Sequence, residues 1–281
     1  MKVLFGALAI TAFGFSANAQ NLPQPSPSAA VSQTIGLTEV TVEYSRPGVK
    51  GRTIWGDLVP YDQVWRTGAN ASTKIEFSTD VVIGGEEVPA GKYSIFTKPG
   101  QIQWTVWISP QLDLWGVDGF DPAKATATFK AEPKKHAFTE RMEFSFSEVK
   151  DNGGTLTLAW ENVAVDMPIK VDTDAQAWKN IETAISENPE DWRVYRNAAT
   201  YTRNQGKELE KGLGWIKKSL ELKNDSWYSH FVHAQLLYMN GDSKAAKKAA
   251  KKALEMGEAE AKADGKEFGY AEMINNEMLD W

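Results

Sequence analysis

The apolar pattern of this chain changes period once, near Asp172, and no other feature limits its fold as strongly. Before that point, short β-branched or alternating runs recur between turn residues: EVTVEY (39–44), KIEF (74–77), YSIF (93–96), WTVWI (104–108), RMEFSF (141–146) and LTLAW (156–160). Gly84-Gly85 and Asn152-Gly153-Gly154 stand where hairpins turn, and Pro89 marks a turn feeding a strand, since it cannot sit inside a central ladder. Many short strands with no helix between them predict an antiparallel β-sandwich or barrel over residues 31–171. From Asp174 onward Ala, Lys, Glu and Leu recur at helical spacing, interrupted at Asn188-Pro189, Gly206, Asn224-Asp225, Gly241 and Gly265. These interruptions predict five or six helices over 172–281. The fold class is therefore multi-domain, all-β followed by all-α.

The chain opens with Lys2, an apolar run from Val3 to Phe15, and small residues at Ala17 and Ala19. That order predicts a signal peptide over 1–19, cleaved before Gln20. Residues 20–30, which include LPQPSPSAA, read as a flexible leader. The expectation is an exported protein, periplasmic or extracellular, and soluble once the signal is removed. No later stretch is apolar for the ~20 residues that a membrane span needs. Zero cysteines exclude disulfides, thiolate metal ligands, a cysteine nucleophile and a cysteine-linked lipid anchor. A net charge of −6 argues against a general nucleic-acid binder, which requires a concentrated basic surface.

The helical half contains a repeat. KSLE (218–221) and KALE (252–255) lie 34 positions apart, as do Gly212 and Ala246, while Ala199 and Ala234 are offset by 35. The period and the small residues resemble two tetratricopeptide-like repeats, about Asp191 to Asn224 and Ser226 to Glu258. Two repeats need capping helices, expected near 174–187 and 266–280. In such repeats the first helix of each pair lines a groove. Its face is Arg193, Arg196, Thr200 and Arg203 in one repeat and Tyr228, Phe231, Gln235 and Tyr238 in the next. A basic helix face beside an aromatic one suits a peptide or protein partner that offers a carboxylate next to an apolar side chain. The alternative is that the C-terminal helix or the β domain fills the groove. Lys244, Lys247, Lys248, Lys251 and Lys252 fall on a second helix and read as its solvated, convex face.

The stretch YSRPGVKGRTIWGDLVPYDQVWRTGAN (44–70) poses a separate question. Its glycines and prolines forbid a continuous strand, and long loops in compact domains are functional or tightly packed. Arg46, Lys50, Arg52, Arg66 and Asn70 suit an anionic or glycan ligand, with Trp65, Trp55 and Tyr61 as stacking faces. The competing reading is structural, with the arginines clamping carbonyls and pairing with carboxylates. SRPGVKGR, LVPYDQVWRTGAN, PAGKYSIF, the later LWG and WENVAVDMPIKV resemble, in order, the family called domain of unknown function 2911, found in exported proteins of Bacteroidota-type bacteria. The resemblance covers about Pro27 to Val171. It implies a secreted β-rich domain and brings no catalytic residues with it. Trp107 departs from the aliphatic residue expected there.

Other constellations carry less. Along 103–108, Trp107 shares a face with Gln103 and Thr105, and reads as a partly exposed aromatic, a second core or an inter-domain contact. His136 lies in a Lys-rich turn. His230 and His233 are spaced i, i+3, but no carboxylate or thiol completes a metal site, so packing or surface roles are expected and no metal or cofactor. G-x-S-x-G, P-loop and dinucleotide fingerprints are absent. The reading is a non-catalytic interaction protein that binds a peptide, a protein partner or an envelope glycan. The alternative is an envelope hydrolase acting on glycan or peptidoglycan fragments through a carboxylate pair among Glu76, Asp113, Asp118, Asp121 and Glu161.

Overall fold

The computed structural model describes residues 22–281, so the expected signal peptide, 1–19, lies outside the described residues. The chain divides into two compact units that part between Asp172 and Thr173, where the apolar period changes.

The first unit consists of two antiparallel sheets. One is built from β1 (Ser28–Ile35), β2 (Thr38–Ser45), β3 (Thr73–Phe77), β6 (Gly91–Lys98), β7 (Trp104–Ser109) and β8 (Ala127–Ala131), in that spatial order. In the other, β5 (Glu86–Val88) borders β4 (Val81–Ile83), which borders β10 (Gly153–Lys170), which borders β9 (Pro133–Lys150). Period-two alternation sets the faces. In β2, Val40, Val42 and Tyr44 point inward while Glu39 and Glu43 are exposed. These residues meet Met142, Phe144, Leu156, Leu158 and Trp160 of the other sheet in one shared core, which makes the unit a sandwich. Tyr44 joins the sheets directly: its ring lies edge-on to Phe144 at 5.0 Å, and its hydroxyl accepts the Phe144 N–H at 3.1 Å.

One expectation changes. β1 begins inside the stretch read as leader, with Ser28, Ala29 and Ala30 laddered to Ser45, Tyr44 and Glu43. Of the readings for Trp107, the second core holds: it is buried because the outer face of β7 is also covered. Phe120, from the segment after β7, stacks on Phe96 at 4.1 Å and meets Trp107 edge-on at 5.5 Å, forming a small second core.

The second unit has α1 (Thr173–Glu187), α2 (Trp192–Gln205), α3 (Leu209–Leu222), α4 (Trp227–Met239), α5 (Ser243–Ala263) and α6 (Ala271–Asp280). Asp191, Ser226 and Asp242 cap α2, α4 and α5, each side chain accepting a first-turn N–H. The helices pack as two hairpins, α2 with α3 and α4 with α5, and α3 packs on α4. Ala246, Ala250 and Ala253 are fully buried on α5. The equivalent position on α3 is tighter still, since a Cβ added to Gly212 would stand 2.0 Å from Thr202 Oγ1 on α2. Gly214, on the same helix, has open space around its Cβ position. Gly212→Ala is therefore expected to destabilise the protein by about 1–3 kcal/mol through overpacking, whereas Gly214→Ala should stabilise it by ~0.5–1 kcal/mol through helix propensity; urea unfolding of both variants measures the opposed signs.

Candidate functional site

The arginine-rich loop of the first unit is a packing device. Trp55 and Trp65 turn into the core and meet Trp104 and Trp160, with Trp55–Trp104 centroids 5.0 Å apart and Trp65–Trp160 stacked at 6.0 Å. Trp65 also exchanges backbone hydrogen bonds with Thr97 at 2.7 and 2.9 Å, and its indole N–H donates to the Gly68 carbonyl. Its ring is only 8 % exposed, so it offers no stacking face to a sugar, which corrects the expectation for this residue.

The loop's polar side chains serve the same end. Arg46 donates to the Met142 carbonyl at 2.9 Å and pairs with Glu143 at 3.0 Å. Arg52 donates to the carbonyls of Gly48 and Val49. Asn70 donates to Ser45 Oγ at 3.2 Å, and Lys50 is exposed with its backbone N–H on Glu140. Arg66 is half-buried, and its Nε has no hydrogen-bond partner. No ligand geometry converges on these residues.

Lys74 was not singled out by sequence. Its Nζ donates to Ser72 Oγ and Ser94 Oγ, each at 2.9 Å, and to the Leu112 carbonyl. Burial pushes its pKa below the ordinary lysine value. A Lys between two serines resembles a hydrolytic dyad, but its Nζ is held by three oxygen partners at once. Ser72 and Ser94 are buried. Lys74 thus fastens the segment after β7 onto the sheet. Of the candidate acids, Glu76 lies 3.9 Å from Lys92, Asp121 caps the turn at Ala123, and Asp113 and Asp118 are exposed.

The second unit contains a cavity where several of the expected groove residues meet. A cavity of about 630 Å³ is walled by Trp227, Tyr228 and Phe231 of α4 and by Tyr270 and Met273 at the start of α6. Arg203, Asn204 and Gln235 supply its polar edge. Trp227 organises the wall, meeting Phe268 edge-on at 4.9 Å and Tyr270 at 5.1 Å. Arg203 hydrogen-bonds Gln235 Oε1 and Asn204 Oδ1. Arg196 rests its guanidinium over Trp192 at 4.9 Å and Tyr228 at 5.8 Å, with Asn197 as its side-chain hydrogen-bond partner. Among the described residues, neither arginine has an ion-pair partner. Arg193 sits apart at the helix start, paired with Asp191 at 3.5 Å.

The far end of the expected groove is closed. Tyr238 stacks on Trp281 at 5.4 Å and donates to the Asp280 carbonyl, while Gln235 donates to Glu277 at 2.8 Å. Phe231 is 2 % exposed and packs on Ile274. The C-terminal helix therefore takes the Tyr238 end and leaves the Arg196, Arg203 and Tyr228 end open. Trp227, Tyr270 and Met273 are wall residues that helix-face spacing alone did not single out.

The histidines play packing roles. His136 is exposed beside Thr139. His230 bonds Asn224 through Nε2, and His233 Nε2 is buried with no partner. Burial, then the charges of Lys217 and His230, lower the His233 pKa to about 4.

A β-sandwich followed by helical hairpins with an aromatic cavity defines a two-unit protein. The family described as "Protein of unknown function (DUF2911)" matches residues 26–169, just over half of the chain, and the chain belongs to that family. No curated protein shows a significant match.

Trp65→Ala should cost about 3–5 kcal/mol in denaturant unfolding, whereas exposed Lys50→Ala should stay within ~0.5 kcal/mol. A second expectation concerns pH. His233 binds its proton more weakly folded than unfolded, so its contribution to stability is complete above about 6.5 and is lost as the pH falls towards about 4. His233→Gln should flatten the measured dependence of unfolding free energy on pH across that window.

Proposed function

We propose that this is an exported, non-catalytic interaction protein that captures a peptide segment of a partner through the cavity between α2, α4 and α6. One observation carries the reading: Arg203 lines an aromatic cavity and Arg196 rests over Tyr228 in its wall, two guanidiniums without carboxylate partners among the described residues. A carboxylate, from a chain terminus or an acidic side chain, would take charge-assisted hydrogen bonds from the arginines. A neighbouring apolar side chain would be buried among Trp227, Tyr228 and Met273. The 34-residue spacing of the two hairpins supports a tetratricopeptide-like reading of the unit, in which such grooves hold extended or helical peptides. No described helix is long and apolar enough to cross a membrane, and the sequence of residues 1–19 supports export.

The test is a titration of the full chain with peptides that carry a free C-terminal carboxylate after an apolar residue, followed by Trp227 fluorescence and calorimetry. Arg196→Glu with Arg203→Glu should lower affinity at least tenfold while leaving the unfolding midpoint within a few degrees. The amidated peptide should lose affinity to a similar degree. Equal binding by wild type and the double variant would overturn the proposal.

A further inference from the structure

A second cavity opens in the same helical unit, between α3, α4 and α5, with a volume of about 730 Å³. Its apolar surface comes from Leu220 and Leu237, with Ala245 and Ala249 of α5 leaving room above them. Lys217, Lys248 and Lys252 stand around it. This corrects the reading of the α5 lysines as a purely convex, solvated row: Lys248 and Lys252 are exposed, yet they border a groove because Ala245 and Ala249 between them are too small to fill it. Glu221 is the one carboxylate in the lining, so the lysines outnumber it. Lys252 reaches only the Asn224 side chain, at 3.3 Å, and none of the three lysines has an ion-pair partner among the described residues.

Two imidazoles also face this space. His230 uses Nε2 on Asn224, at 3.2 Å to the carbonyl and 2.9 Å to Oδ1. His233 lines the cavity with an Nε2 that is shut off from water and has no partner, an unmet polar group beside an apolar floor. Buried polar atoms without partners are uncommon in folded proteins.

We infer that the α3/α4/α5 cavity is a binding site for a medium-chain fatty carboxylate, its alkyl chain along Leu220, Leu237, Ala245 and Ala249 and its carboxylate among Lys217, Lys248 and Lys252. The volume lies within the range of small-ligand pockets, which are mostly apolar with a few convergent polar groups. Charge selects the class: lysine ammoniums are compact point charges that suit a single carboxylate, and an alcohol of equal length would forgo that attraction. The charged and titratable groups around His233 are Lys217 and Glu221 on α3, His230 on its own helix, and Lys248 and Lys252 on α5. A bound anion adds negative charge to this set and favours the imidazolium.

The experiment is calorimetric titration of the full chain with decanoate and with decanol below their aggregation concentrations, together with NMR of the histidine ring protons, which arise from only three residues. Decanoate should bind saturably and move the His230 and His233 signals but not those of His136. Decanol should bind at least tenfold more weakly. Lys217→Gln, Lys248→Gln and Lys252→Gln combined should cost at least tenfold, and Arg196→Glu with Arg203→Glu should change nothing, which keeps this site separable from peptide capture. Ala245→Leu, which fills the groove without removing charge, should block binding as well. No saturable binding, binding that the lysine variant leaves intact, or binding of an acidic amphipathic peptide with none of decanoate would each overturn the assignment.

Discussion

Four indoles hold the first unit together, and its longest loop depends on them. Trp104 and Trp160 arise from the two facing sheets, while Trp55 and Trp65 arise from the segment between β2 and β3. With no cysteine, nothing covalent can tie that segment down. Hydrophobic burial of two large rings does so instead, at roughly 1.5–3 kcal/mol for a buried large apolar side chain. Because the rings enter the core, the glycines, prolines and arginines around them follow an irregular path whose carbonyls need partners outside a regular ladder. Arg46 and Arg52 answer that need by donating to Met142, Val49 and Gly48. The guanidinium fork suits a loop whose carbonyls lack a ladder partner just as it suits an anion. In this loop the first use occupies Arg46 and Arg52.

In the helical unit the governing constraint is closeness. Gly212 admits Thr202, and a Cβ at Gly257 would stand 2.2 Å from the Phe268 ring. That second contact positions Phe268 against Trp227, and Trp227 against Tyr270, so a missing side chain on α5 sets the wall of a cavity on another face. The aromatic wall is consequently preformed in the free protein. Such a wall loses little side-chain freedom on binding, which favours affinity from a modest contact area.

The period of the apolar residues made the two units, their boundary and the helix interruptions legible. It failed where the signal is weak or where cover comes from elsewhere. Ser28–Ile35 contains only Val31 and Ile35 as large apolar residues, so its alternation is faint, and pairing with β2 decides it. Lys74 and Trp107 alternate outward as period two requires, yet both are covered by the segment after β7, which no local pattern announces. Helix-face spacing named Arg203, Tyr228 and Phe231, which line one cavity, and Arg196, which lies over Tyr228. It said nothing of α6, whose Glu277 and Trp281 close one end of the same groove and whose Met273 builds the other. Burial of the arginine loop was readable only as one of two outcomes, because a guanidinium beside an indole looks alike in sequence whether it holds a carbonyl or a ligand.

Charge explains why the two helical cavities stand out. The chain carries a net charge of −6, so an anionic partner approaches against a mildly repulsive field. Arg196 with Arg203, and Lys217 with Lys248 and Lys252, gain their meaning from standing together at a cavity rather than from lacking carboxylate partners, which many surface lysines also lack. Most other basic groups with a clear geometric role are spoken for: Lys92 by Glu43, Lys134 by Asp166, Lys207 by Asp174, Lys211 by Glu182. An arginine over a tyrosine face favours planar carboxylates that can be gripped in two places, and lysines on a flexible rim favour a single charge at the end of an apolar body. On the two proposals, the same helical unit would separate two anionic ligands by the shape of the cation it offers each one.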